Sequence, residues 1–368
     1  MFKKKSKYYS LDEILKKDCT YNLIIGERSN GKTYATLLHC IKQYFDNGSQ
    51  FAVVRRWKED ITGRRASELF TAHNANGEIT KLSNGKYDGI CYYAGKFYLC
   101  TYDADTGKPI YNMEDIIAYA FSLTESEHNK SVSYPFINNI VFDEFLTNKL
   151  YLPDEFITFM NTVSTIVRQR TDVKIFMLGN TVNKFSPYFE EMGLKNIIKQ
   201  QQGTIDIYSY GNSVLKVAVE YCKSTAKSKE NNFYFAFDNP RLNMITSGAW
   251  ELDIYPHLPI KYKPKDIIFT YFIEFQEQLF QCEIVNINDN FFTYIHLKTT
   301  PLKNNNDDII YSLNHSYLMN YSRNIYKPTN RIQERILYFF KTDRVFYQNN
   351  DVGDTVNNYL KICKKGLF

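Results

Sequence analysis

Two kinds of apolar spacing alternate along the first half of the chain. YNLIIG (21–26), FAVV (51–54), INNIVF (137–142) and VKIFML (173–178) are short apolar runs of the kind that fill both faces of a buried parallel sheet. Residues 34–45 carry apolar side chains at helical spacing and are stopped by Asp46-Asn47-Gly48. A second helix is expected over 154–168, opened by Asp154 as a cap after Pro153. Strands alternating with helices predict a parallel sheet covered on both faces, an α/β fold. Between residues 60 and 110 the chain is polar and dotted with glycine, and GICYYAG and KFYLCTY predict hairpins inserted into this domain.

The pattern changes beyond residue 204. KSTAKSKENN (223–232) is charged and rich in chain breakers, so a linker is expected over 205–232. IIFTYFIEF, QLFQCEIV and FFTYIHL, within 267–297, alternate like strands of an antiparallel meander, and helices are expected at 331–341 and 353–363. The expected organisation is an α/β domain over 1–204, the linker, and an α+β domain over 233–368.

Composition narrows the class. With 368 residues, 44% hydrophobic and 23% charged, the chain has enough apolar material for two ordinary globular domains. Lysine and arginine (45) exceed aspartate and glutamate (40) by five, too small an excess to identify a nucleic-acid binder alone. The basic residues cluster at KKKSK (3–7), RRWK (55–58), Arg64-Arg65 and Lys364-Lys365, each a candidate phosphate contact or simply a solvated face. Seven scattered cysteines without a C-x-x-C pair argue against a disulfide framework or zinc site and fit a reducing cytosol. The N-terminus lacks the apolar core of a signal peptide, and no run approaches the roughly 18 apolar residues of a membrane span, so a soluble protein without a membrane partner is expected.

The candidate chemistry begins at GERSNGKT: Gly26, Glu27, Arg28, Ser29, Asn30, Gly31, Lys32 and Thr33, with Tyr34 opening the helix. This is the phosphate-loop pattern G-x-x-x-x-G-K-[ST] in its required context, strand before and helix after. Glycines let backbone N–H groups turn inward toward phosphate oxygens, and the helix N-terminus adds its positive dipole end. Lys32 would reach the β- and γ-phosphates and the Thr33 hydroxyl would ligate Mg²⁺. The bland alternative is a glycine turn capping a helix.

Hydrolysis needs an acidic pair at the end of a neighbouring strand, and NNIVFDEF supplies Asp143 for the Mg²⁺ shell and Glu144 as general base. A glutamate there separates the chain from GTPases and nucleotide kinases. Asn180, in IFMLGN, is expected where another strand meets its loop, to sense the γ-phosphate or serve as a turn residue. Arg168 and Arg170, in IVRQR, either complement the dipole of the preceding helix or offer an arginine finger to an adjacent subunit.

GERSNGKTYA, FAVVRRWKED, SYPFINNIVFDEF, VRQR, LGN and NKFSPYF, in that order, resemble the genome-packaging ATPases of phi29-like tailed phages, over residues 20–190. The resemblance implies an ASCE/RecA-like ATPase domain similar to the large terminase, using ATP and Mg²⁺. It further implies a ring, commonly a homopentamer, docked on the portal of a procapsid and driving double-stranded DNA inward, with a packaging RNA as a further candidate partner. Such a motor acts in the host cytoplasm and is not expected in the mature virion. By matching blocks, Lys32, Thr33, Asp143 and Glu144 take the roles above, and Arg168 falls on the trans-acting finger. Arg55, Arg56 and Lys58 match the basic residues after the second strand, and Lys130 matches a residue facing the adjacent subunit's site. The C-terminal domain would resemble a vestigial RNase H-like nuclease. Glu274, Glu283 and Asp289 form no pattern for a two-metal site, so no nuclease activity is expected. Lys81, Lys86, Lys96, Lys223, Lys227 and Lys229 are candidate grips on the DNA backbone. The rival readings are a cellular helicase- or loader-type P-loop ATPase and a nucleotide-gated structural protein.

Overall fold

The computed structural model describes residues 8–125, 132–147, 151–181, 186–197, 199–223, 255–302 and 308–364. They form two compact units, Met1–Glu251 and Leu252–Phe368.

In the first unit a short helix α1 (Asp12–Leu15) precedes β1 (Tyr21–Gly26), α2 (Lys32–Asn47) and β2 (Gln50–Arg55). Three short helices follow, α3 (Gly63–Glu68), α4 (Thr71–Ala75) and α5 (Glu78–Leu82), and then β3 (Gly89–Tyr93), β4 (Lys96–Tyr102) and β5 (Pro109–Ser122). The unit continues with β6 (Ile137–Asp143), α6 (Glu155–Val167), β7 (Lys174–Asn180), α7 (Pro187–Glu191), β8 (Ile205–Ser209) and β9 (Lys216–Tyr221). The strands make one sheet in the order β3-β4-β5-β2-β6-β7-β1-β9-β8. From β5 to β9 neighbours are parallel, whereas the margins, β3-β4-β5 and β9-β8, are antiparallel.

The apolar runs are uninterrupted because both faces are covered. Leu23, Ile25, Phe142 and Met177 face one core with Phe159 and Val163 of α6 and Tyr188 of α7. Ile24, Val53, Val141 and Phe176 face the other, with Leu37, Cys40 and Ile41 of α2 and Phe70 and Ile79 from the α3–α5 region. Successive strand residues thus serve opposite cores, as the period of two requires.

Two expectations are corrected. Residues 205–222 are not a linker: β9 adds to the free side of β1, burying Val217, Ala218 and Val219, and the Cys222 N–H donates to the Ile25 carbonyl at 2.7 Å. Residues 224–232 of the expected linker lie outside the described residues. The region from 60 to 110 is not a set of inserted hairpins either. The hairpin β3–β4 is present but continues the main sheet through β5, and the polar stretch before it folds as α3–α5.

The second unit contains β10 (Ile267–Phe275), β11 (Gln278–Ile287), β12 (Asn290–Leu297), β13 (Ile310–Ser312), β14 (Tyr321–Ser322), α8 (Arg331–Lys341), β15 (Val345–Tyr347) and α9 (Asn350–Lys364). β10, β11 and β12 form the expected antiparallel meander. β13 runs parallel to β10, β14 parallel to β13, and β15 parallel to β12. Ile336 and Phe339 of α8 and Val356 and Tyr359 of α9 pack on Tyr271, Ile273, Cys282 and Ile295. Glu274 and Glu283 do not converge. Glu283 is opposite Thr270, and Glu274 lies four residues further along β10, about 13 Å at the rise of a strand. Among the described residues no group of three or more His, Cys, Asp or Glu could hold a metal ion, and no helix is long and apolar enough to cross a membrane.

Candidate nucleotide site

The loop between β1 and α2 turns through two left-handed residues, Ser29 (φ +59°) and Gly31 (φ +93°). Gly31 is the N-cap of the 16-residue α2, whose first-turn N–H groups point into the loop. At Gly26 a Cβ would lie 2.8 Å from Cys222 Cβ, so the residue that follows β9 is what requires glycine at the end of β1. Arg28 and Ser29 are exposed, while Glu27 and Asn30 are buried.

Lys32 is only 5% exposed. Its ammonium donates to the carbonyls of Glu27 (2.6 Å) and Gly26 (3.3 Å) and to Oδ1 of Asn30 (3.2 Å) and Asn180 (3.3 Å). Burial lowers its pKa, opposed mainly by Cys222 and Asp143. A phosphate arriving here would meet an ammonium already desolvated and aimed from the loop. Asn180 is the last residue of β7 and stands opposite Gly26 in register, which brings its amide to the lysine.

The acidic pair is not on the strand next to β1. β7 lies between β1 and β6, so Asp143 reaches the loop from two strands away. It still meets it: the Thr33 hydroxyl donates to Asp143 Oδ1 at 3.0 Å. Asp143 is 4% exposed, and burial raises its pKa although the charge of Arg55 opposes this. A half-buried hydroxyl beside a buried carboxylate at the loop is a donor set of the hard-oxygen kind that suits Mg²⁺. Arg55, at the end of β2, bridges both acids, with Nη2 2.7 Å from Asp143 Oδ2 and Nη1 2.9 Å from Glu144 Oε2. Glu144 is left-handed (φ +61°) and its side chain is exposed. Lys32, Thr33, Asp143, Glu144 and Asn180 line a cavity of about 660 Å³, joined by Trp57, Asp60 and Tyr34. Tyr34 is stacked on His73 (4.2 Å between centroids), and its hydroxyl donates to Glu78 Oε1 at 3.2 Å, so α4 and α5 fix this wall.

The two arginines of IVRQR separate. Arg170 is anchored in its own chain, donating to the carbonyls of Pro135 (2.8 Å) and Ile137 and to Asn138 Oδ1 (3.1 Å). Arg168 is exposed at the end of α6, φ +43°, with Nη2 donating to the Val132 carbonyl at 2.9 Å, and does not line the cavity. Lys58 pairs with Glu125 at 2.6 Å on the surface. Lys81, Lys86 and Lys223 are exposed and Lys96 half-buried. Lys130, Lys227 and Lys229 lie outside the described residues.

Gly179 sits where the acidic loop presses on β7. An added Cβ would lie 2.8 Å from Leu146 Cδ1 and 2.9 Å from Phe145 Cε1. Gly179→Ala should therefore destabilise the fold by about 1–3 kcal/mol, read as a lowered thermal midpoint; an unchanged midpoint would show that the loop yields freely.

Sheet order, glycine loop, buried lysine and the hydroxyl–carboxylate pair together define a P-loop domain with an additional strand between the phosphate strand and the acidic strand. Within that class the chain belongs to the Podovirus DNA encapsidation protein (Gp16) family, whose model matches residues 3–87 and 98–250. It is 29% identical over 188 residues to the "DNA packaging protein" of Bacillus phage phi29, an alignment spanning 50% of each chain, so it matches about half the length of that relative. Across nearly its whole length its fold is similar to a chain of the bacteriophage phi-29 viral genome packaging motor assembly (TM-score 0.57, 21% identity, 99% of this chain and 100% of that one). It is also similar to the phi-28 gp11 DNA packaging motor (TM-score 0.52, 19% identity, 98% and 97%).

Proposed function

We propose that the chain is a subunit of an ATP-driven motor that moves double-stranded phage DNA through a portal into a procapsid. The observation that carries the reading is the meeting of Lys32, Thr33, Asp143 and Glu144 around one cavity. Family membership supports the DNA-packaging role.

The loop N–H groups and Lys32 hold the β- and γ-phosphates. Thr33 and Asp143 would hold Mg²⁺, which would offset phosphate charge and orient the γ-phosphoryl group. Glu144 accepts a proton from water as the water oxygen bonds to the γ-phosphorus and the bond to the β–γ bridging oxygen breaks. For this the carboxylate must turn from Arg55, which stays paired with Asp143. Asn180 senses the γ-phosphate beside Lys32. Arg168, presented at the surface, reaches the site of the next subunit in a ring, with Lys130 as a second contributor. A ring, pentameric by analogy with the phi29-like motors and assisted by a packaging RNA, would dock transiently on the procapsid in the host cytoplasm. The second unit acts without nuclease activity, a reading supported by Glu274 and Glu283 lying too far apart along their strands for two metals about 4 Å from each other.

The test is ATP-dependent protection of genomic DNA from added nuclease in a mixture with procapsids, using Lys32→Ala as control. No protection by the wild-type chain would overturn the reading. A further expectation concerns the finger: Arg168→Ala subunits mixed into wild-type rings should bind ATP normally yet reduce packaging by more than their share. A strictly proportional fall would remove Arg168 from that role.

A further inference from the structure

We propose that Glu155 is a positioning residue for hydrolysis: through Arg56 it holds the backbone of Glu144 in the left-handed conformation that presents the general base. The inference rests on the ATPase reading above and gives Glu155 and Arg56 a part that the reading does not assign them.

Glu155, the first residue of α6, is 1% exposed, and Arg56 is 6% exposed. Arg56 Nε donates to Glu155 Oε2 at 2.8 Å, a pairing 99 residues apart in sequence. The other end of the same guanidinium donates to two successive carbonyls of the acidic loop, Glu144 (Nη1, 3.3 Å) and Phe145 (Nη2, 2.6 Å). The first carbonyl belongs to the peptide that follows the left-handed residue and the second to the next peptide, so the fork fixes the direction of both. The Phe145 N–H completes the hold by donating to the Leu178 carbonyl at 3.1 Å.

Glu155 is itself immobilised. Its Oε1 accepts from the Tyr188 hydroxyl at 2.8 Å, and its Oε2 accepts from the Leu152 N–H at 2.7 Å. Arg56 also lies over the Tyr151 ring, 5.1 Å from its centroid. A non-glycine residue at φ +61° persists only where its surroundings determine it, and such residues concentrate at functional sites. Buried ion pairs are frequently no better for stability than apolar packing, so a merely stabilising role would not explain a guanidinium aimed at these carbonyls. The carboxylate also anchors the start of α6, whose 13 residues rise about 20 Å to Arg168.

The test uses the full chain, with steady-state ATP hydrolysis, affinity for a fluorescent non-hydrolysable ATP analogue, and thermal unfolding. Glu155→Gln and Arg56→Lys should each lower kcat about 10- to 100-fold, with KM and analogue affinity within about threefold of wild type. Arg56→Lys is decisive, since lysine keeps the buried charge but cannot fork across both carbonyls. A purely structural pair would tolerate it, so wild-type kcat in Arg56→Lys overturns the inference, as does a loss that only tracks the folded fraction. Should both variants fail to fold, Tyr188→Phe removes a single bond to Glu155 and should lower kcat about threefold at unchanged KM; unchanged kcat would overturn the inference. A wild-type chain without ATP turnover sinks both the reading and this inference. Turnover abolished by Glu144→Gln but untouched by Arg56→Lys sinks this inference alone.

Discussion

Glu144→Gln is expected to keep nucleotide affinity and lose ATP turnover by a factor of about 10² to 10⁴, the range supplied by a positioned general base. The substitution is nearly isosteric, and the side chain is exposed, so it creates no cavity and no buried orphan. It also ends the ion pair with Arg55 Nη1, but Arg55 retains Asp143 at 2.7 Å, and the pair between Thr33 and Asp143 is untouched. Phosphate binding and metal ligation should therefore survive, and titration with a non-hydrolysable analogue should give a dissociation constant close to wild type. Continued turnover would mean that another group takes the proton, or that nucleotide only gates a conformation.

Lys32→Ala should act on the other branch, weakening nucleotide uptake by about 3 kcal/mol, roughly 100-fold, from the loss of charged hydrogen bonds to phosphate oxygens. The nucleotide-free fold should survive, because the ammonium contacts only the loop and Asn180. The stabilisation that ATP confers on the wild-type melting transition should consequently disappear at the same nucleotide concentration. Retained affinity in calorimetry would show that the loop is a helix cap and nothing more.

Much of the site was legible because its parts are local in sequence. A glycine loop between an apolar run and a helical pattern, and an acidic pair after another apolar run, each carry their context within a dozen residues. What sequence could not supply was order across the sheet. Nothing in INNIVF or VKIFML says which strand lies beside β1, and the acidic strand was expected one position too near. β8 and β9 are obscured for a different reason: the charged stretch that follows them has the composition of a linker, and β8, half-exposed at a sheet margin, lacks the solid apolar run of an interior strand. The α3–α5 segment is built of helices of five and six residues, too short for a 3.6-residue period to emerge. The Arg56–Glu155 pair had no signal at all, since two charged residues so distant in sequence look like independent surface positions until the fold buries them together.

Because β9 closes the far side of β1, the strand that carries the glycine loop has hydrogen-bonded neighbours along both of its sides. Its amides should be among the slowest in the molecule to exchange with deuterated solvent, while those of the exposed loop residues Arg28 and Ser29 exchange quickly. Ligand capture and release at the loop should therefore leave the strand beneath it unmoved, as a rigid footing.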